Sequence, residues 1–250
     1  MPTSLTIPLS ENERAALPPY PGRACHALFY QWLALGDYNL ANEVHDDEGL
    51  RPFTVSPVGR NGNGARLRFN VLDDTLWPAL ERGMARTPVV ELLGRPLQMP
   101  LQGPEIRQRF YADLVEQART DTTLRLRFLS PTSFRSREMH FPLPDPLLVY
   151  QSWLNRWNAF APTEFQINVA LLDIVAAHIA IGRYELATEM VDLGRERKAI
   201  GFVGQVQYTI LRPQLLDAGL LRQLNCLADY AVFCGTGHKT AQGMGVTERV

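Results

Sequence analysis

Gly235-Thr236-Gly237-His238-Lys239-Thr240-Ala241-Gln242-Gly243-Met244-Gly245 places four glycines around a His, a Lys and a Thr. Glycine has no Cβ, so the chain can turn through positive φ and its amides can approach a ligand closely. Successive N–H groups in such a turn form a concavity that binds anions. His238 and Lys239 add polar or cationic heads, so the ligand this loop favours is phosphate. The competing reading is a glycine hairpin that merely closes the last strand. Two nucleotide-binding architectures are excluded by spacing. A Walker A loop needs G-x-x-x-x-G-K followed by Ser or Thr at a helix start, whereas here Lys239-Thr240 stands mid-loop with glycines after it. A dinucleotide fingerprint needs a third glycine where Thr240 stands, and a βαβ unit that the remaining residues cannot supply. The phosphates therefore read as those of a polymer. An unrelated enzyme that seats a triphosphate on the loop is the weaker alternative.

Working outward, 250 residues suit two small domains or one large one. The apolar fraction of 46% permits a buried core, and a net charge of −1 argues against indiscriminate nucleic-acid binding. The cations are 23 Arg against two Lys, Lys198 and Lys239. Genome base composition can produce such a bias, yet each Arg still offers a planar fork suited to phosphate. Cys25, Cys226 and Cys234 form no C-x-x-C pair, which fits a reducing, cytoplasmic setting without structural zinc. The five His show no metal-ligand spacing, and no cofactor is implied. No signal peptide is visible, and Leu171 to Ile181, the most apolar stretch, is too short and polar to span a bilayer.

Periodicity predicts a strand over Thr3 to Leu9 and a helix from Arg23 to Leu35, with Cys25, Leu28, Phe29 and Trp32 at helical spacing. A short helix over Tyr38 to Val44 follows, then strands at Pro52 to Val58 and Ala65 to Val71 joined by a glycine-asparagine turn. A helix to Met84 and a strand at Pro88 to Leu93 complete a split βαβ, ferredoxin-like pattern near residue 94, and Glu105 to Ala118 reads as an amphipathic helix. The polar run Arg119 to Thr123 marks a domain boundary, giving domains 1–120 and 121–250. The second half loosely repeats the order. Strand Leu124 to Leu129 precedes a loop over Ser130 to His140, then helices at Leu147 to Asn158 and Glu164 to Ala177. A hairpin of Ile181 to Leu193 with Lys198 to Leu211, helix Gln214 to Val232 and a closing strand from Met244 complete it. The fold class is thus α+β: two tandem ferredoxin-like (RRM-like) domains with a C-terminal glycine-rich loop.

Three segments join the glycine loop in carrying a resemblance. They are His45-Asp46-x-x-Gly49-x-Arg51-Pro52-Phe53-Thr54-x-Ser56-Pro57, Phe128-x-Ser130-Pro131-Thr132-x-Phe134-Arg135, and Ser152-x-Leu154-x-Arg156-Trp157-Asn158. Together, in this order, they resemble the Cas6-type CRISPR endoribonucleases of the repeat-associated mysterious protein superfamily. The resemblance covers nearly the whole chain. It implies a metal-independent endoribonuclease, used in antiviral defence, that cuts CRISPR repeat RNA in long precursors into guide units. The ribose 2′-OH would attack the adjacent phosphate, leaving a 2′,3′-cyclic phosphate and a 5′-OH. Relatives that hold guide RNA in effector complexes without cutting it supply the alternative. Repeat RNA is the implied partner, with other effector subunits or a second copy as further ones.

That chemistry needs a base, an acid and a cation. Imidazole titrates near neutral pH and fills either proton role. His45 is the implied principal acid–base residue; the competing reading is an exposed histidine at a helix end, favoured by the dipole. Members of the family often use a Tyr–His–Lys set, which implicates Tyr30 and places Arg51 where a Lys is often found. Arg51 keeps the charge but cannot transfer a proton. Tyr30 reads equally as a core aromatic, with Tyr38 in reserve. RNA contacts are assigned to Gly235, Gly237, His238, Lys239, Thr240, Gly243 and Gly245, to Arg135 and Arg137, and to Arg60, Arg66 and Arg68. Phe53, Phe69 and Phe202 read as core, and Arg156-Trp157 as a helix surface packing on the core.

Overall fold

The computed structural model describes residues 1–250 except 11–12, 14–16, 19, 59–64, 88, 98–102, 137–138 and 194–197. The chain divides into two compact units, Met1–Gln108 with Ala241–Gly243, and Arg109–Thr240 with Met244–Val250.

In the first unit β1 (Thr3–Leu9) leads to α1 (Gly22–Gly36) and α2 (Tyr38–Asp46), then β2 (Phe53–Val58) and β3 (Ala65–Val71). α3 (Trp77–Ala85), the hairpin of β4 (Val90–Leu92) and β5 (Arg95–Leu97), and β6 (Glu105–Gln108) follow. The sheet order is β2-β3-β1-β6, antiparallel throughout, with Leu5 opposite Phe69 and Ile106. This is the ferredoxin-like arrangement. One face of the sheet presents Leu5, Ile7, Phe53, Val55, Leu67 and Phe69 to Leu28, Phe29, Trp32 and Leu33 of α1. The Phe29 and Phe53 rings stack at 3.8 Å, and Trp32 meets Phe69 edge-on at 5.1 Å. Two glycines let α1 and α3 touch backbone to backbone. A Cβ at Gly36 would lie 1.7 Å from the Ala79 oxygen, and one at Gly83 would lie 1.8 Å from the Trp32 oxygen.

The second unit contains α4 (Tyr111–Glu116), β7 (Thr123–Thr132), β8 (Phe134–Ser136), β9 (Met139–Phe141), α5 (Pro146–Phe160) and α6 (Leu171–His178). β10 (Ile179–Asp192), β11 (Lys198–Ile210), α7 (Ala218–Cys234) and β12 (Thr247–Arg249) complete it. Its sheet order, β10-β11-β7-β12, repeats the first unit's plan strand for strand. α5 starts where the Asp145 carboxylate accepts from the Leu148 amide at 3.0 Å, and α7 where Asp217 does the same for Leu220 at 2.8 Å. Trp153, Trp157, Tyr150 and Tyr230 are fully buried between these helices.

Several elements depart from the sequence reading, among them the loop expected over Ser130 to His140, which holds the end of β7, β8 and part of β9. The first sheet takes its fourth strand from Glu105–Gln108, not from Pro88 to Leu93, whose Val90–Leu92 pairs instead with Arg95–Leu97. β6 is an exposed edge strand without apolar alternation, and the helical signal of Tyr111–Glu116 masks it. The helix expected over Glu164 to Ala177 begins only at Leu171. Asn158 holds the preceding segment extended, accepting from the Ile167 amide at 2.9 Å and donating to the Ile167 oxygen at 2.8 Å. Arg156-Trp157 lies on the helix face packed on the core, and both side chains are buried. Among the described residues no helix is long and apolar enough to cross a membrane.

Candidate active site

The first unit gathers three rings and a guanidinium at the end of α2. α1 stops at Gly36, and Asp37 caps α2 by accepting from the Leu40 amide at 3.1 Å. Burial of Ala41 and Val44 seats α2 on the unit and turns His45, in its last turn, outward with 71% of its side chain exposed. On α1, His26 and Tyr30 are one helical turn apart and share a face. Their rings meet edge-on at 4.9 Å, and Tyr30 meets His45 edge-on at 5.5 Å. Tyr30 thus stands between two imidazoles.

Each ring is held by a different bond. His26 Nδ1 lies 2.9 Å from the carbonyl oxygen of Ala241, a residue of the same unit. A carbonyl only accepts, so Nδ1 carries the proton and Nε2 is the basic nitrogen of the neutral ring. Burial lowers the pKa of His26 from the usual 6.5, opposed by that hydrogen bond, and the charges of Arg51 and His45 lower it further. The ring is accordingly neutral at pH 7. Tyr30 donates its hydroxyl to the Val44 oxygen at 3.3 Å, and burial raises its pKa, opposed by Arg51. The phenol stays protonated. His45 Nδ1 lies 3.2 Å from the Asp46 carboxylate, an ion pair when the ring is charged.

Arg51 binds the C-terminal end of α2. Nη1 donates to the oxygens of Val44 and Asp47, and Nη2 to the His45 oxygen at 3.2 Å. These are carbonyls that a helix end leaves without intrahelical partners. One residue therefore fixes the turn that carries His45 and brings a permanent positive charge close enough to bias both His26 and Tyr30.

The glycine loop has a different construction, with the amides at both of its ends turned to protein acceptors. Gly235 donates its amide to Ala231, Thr236 to Gly245, and Gly237 to the Ser152 hydroxyl at 2.8 Å. The His238 amide goes to Ser133, that of Met244 to Lys239, and that of Gly245 to Pro131. These amides have protein acceptors and are not offered to a phosphate. Gly235, Gly237 and Gly245 do adopt positive φ, of 65°, 78° and 71°, but close packing is the reason. A Cβ at Gly237 would lie 2.3 Å from the Ser133 oxygen, and one at Gly245 would lie 1.9 Å from the Thr236 oxygen. Buried Arg156 ties the loop further, donating to the Gly237 oxygen at 2.7 Å and to Ser152 Oγ at 2.8 Å. Thr240 and Gly243 are buried, and only His238, Lys239 and Gln242 are half-buried.

Comparison with known proteins bears on this geometry. The family model described as CRISPR-associated endoribonuclease Cas6 matches residues 126–247. A curated CRISPR-associated endoribonuclease Cas6 of Streptococcus thermophilus is 26% identical over 118 residues, 47% of this chain and 46% of that protein. The match therefore spans about half the length of that relative. Over the whole chain, a Thermus thermophilus Cas6 solved as a product complex superposes with a TM-score of 0.82 at 27% identity, covering 100% of this chain and 99% of that one. A second Thermus Cas6 product complex gives a TM-score of 0.78 at 27% identity, with 100% of both chains covered. The chain is similar to Cas6 proteins over its whole length.

The residues named from sequence divide by unit. His45, Tyr30 and Arg51 come together in the first unit. His26 completes the cluster and was missed by sequence reading, although its spacing of one helical turn from Tyr30 was visible. Tyr38, held in reserve, is 68% exposed and no contact joins it to the cluster among the described residues. Arg66 and Arg68 stand half-buried on the sheet face away from the core, Arg68 opposite Thr6 and Ser56. Arg135 is exposed on β8. Arg60 and Arg137 lie outside the described residues. Phe53, Phe69 and Phe202 are core, as read. The three cysteines are buried, and their thiols are pushed up to about 12. No three His, Cys, Asp or Glu side chains gather as metal ligands among the described residues.

Proposed function

We propose that this chain is an endoribonuclease that cuts CRISPR repeat RNA through His26 and His45. The observation that carries this reading is the pair of imidazoles flanking Tyr30 beside the Arg51 guanidinium. His26, neutral and with its basic nitrogen at Nε2, takes the proton of the 2′-OH next to the scissile phosphate. The 2′-oxygen attacks phosphorus, and the bond from phosphorus to the 5′-oxygen breaks. Protonated His45, exposed and supported by Asp46, gives its proton to the leaving 5′-oxygen. The products are a 2′,3′-cyclic phosphate and a 5′-OH, with no net gain or loss of protons by the pair. Arg51 opposes the charge that builds on the equatorial oxygens. Tyr30 positions both rings. It is not the base, since its proton is engaged and its pKa is raised. His238, Lys239, Arg135, Arg66 and Arg68 supply side-chain contacts to the strand.

The test is incubation of end-labelled repeat RNA with the purified chain in EDTA, beside an RNA bearing a single 2′-deoxy at the cut site. The expected result is cleavage of the first only, with a cyclic phosphate end that acid opens. Intact RNA retained in a shifted band would instead support a non-cutting guide-RNA holder. Cleavage of the deoxy substrate would exclude 2′-OH attack.

A further inference from the structure

The second unit contains another pair of imidazoles that the cutting chemistry does not use. His140, on β9, stacks on His238 with ring centroids 4.8 Å apart and planes 29° from parallel. The lower ring is fixed. His238 Nδ1 donates to the Ser133 oxygen at 2.7 Å, and its amide donates to the same oxygen at 3.1 Å. The residue before it is pinned by Ser152 and Arg156. His238 Nε2 is buried without a hydrogen-bond partner among the described residues. Burial lowers the pKa of His238 from 6.5, so at pH 7 it is a neutral, flat surface under His140. The upper ring is exposed in the middle of β9, directly across from Arg135.

Among the described residues, the charges that act on His238 are those of His140, Lys239 and Arg135, and none of these is a carboxylate. A ligand matched to this place has a flat π-face for the outer imidazole and a negative charge for the rim. A nucleotide within an RNA strand carries both, since aromatic side chains including His stack unpaired bases and Arg pairs with phosphate. An isolated surface histidine would lose entropy on stacking; His140 is already seated by its neighbour and its hairpin.

We propose that His140, seated on His238, is a stacking platform for one unpaired base of the bound RNA, with Arg135 on the adjoining phosphate. The proposal rests on the RNA reading of the preceding section. The test is equilibrium binding of a 2′-O-methyl oligonucleotide of repeat sequence, which cannot be cut, together with a series carrying one abasic position each. His140→Ala weakens binding about tenfold to a hundredfold, the effect of losing one stacked base. His140→Trp restores it. One abasic position weakens wild-type binding by the same factor and has no further effect on His140→Ala. Rescue by His140→Lys and not by His140→Trp would overturn stacking in favour of a charge contact, as would unchanged binding by His140→Ala. Wild-type protein that fails to bind the oligonucleotide would overturn the RNA reading itself, and this proposal with it.

Discussion

The two units share one strand order but use their polar groups in opposite ways. In the first, two histidines stand half-buried or exposed beside a guanidinium, and the basic Nε2 of His26 is the atom left for chemistry. In the second, the segment richest in glycine has its amides engaged by Ser152, Ser133, Pro131 and its own carbonyls. The difference teaches that glycine density marks close approach of something, and that the thing approached can be the protein's own backbone. A ligand site is marked by what is left unsatisfied, and the proposed chemistry draws on the first unit's imidazoles.

Substitutions that break this contrast have graded effects. His26→Ala and His45→Ala each slow single-turnover cleavage by about a hundredfold to ten-thousandfold, measured with labelled repeat RNA, while RNA binding persists. Arg51→Ala costs about a hundredfold, because it removes both the charge and the bonds that close α2. Arg51→Lys recovers part of the loss, since an ammonium cannot reproduce the guanidinium's fork. Gly245→Ala acts on stability instead. It places a Cβ 1.9 Å from the Thr236 oxygen at a φ of 71°, and more than about 1 kcal/mol is lost in thermal or urea unfolding. The chemical step at permissive temperature is unchanged. A large fall in cutting without loss of stability would return the loop to the active site. Tyr30→Phe has the smallest effect, under about tenfold on the rate, because it deletes one hydrogen bond to Val44 and leaves the ring between the histidines.

Much of the fold was legible in sequence. The strand at Ala65–Val71 and the helix breaks at Gly36 and Asp37 follow from alternation and capping chemistry. What failed was tertiary. Glu105–Gln108 lacks an apolar face because it is an edge strand, so no period identifies it. The sequence places Arg156 on a core-packing helix face but not its partners, which lie about 80 residues away at Gly237 and Thr240. His45, Tyr30 and Arg51 were reachable because they lie within one stretch that resembles a family motif. His26 was not, because its distinguishing bond runs to Ala241 across 215 residues of sequence.

The most direct measurement of the central claim is the pH dependence of single-turnover cleavage by the wild type and by His26→Ala. A base must be unprotonated, and burial lowers the pKa of His26 from 6.5. The wild-type rate therefore holds as pH falls past 6.5 and drops tenfold per unit only below the lowered pKa of His26, while the variant is slow and lacks that limb. A variant that cuts at the wild-type rate with the same acid limb would contradict the account.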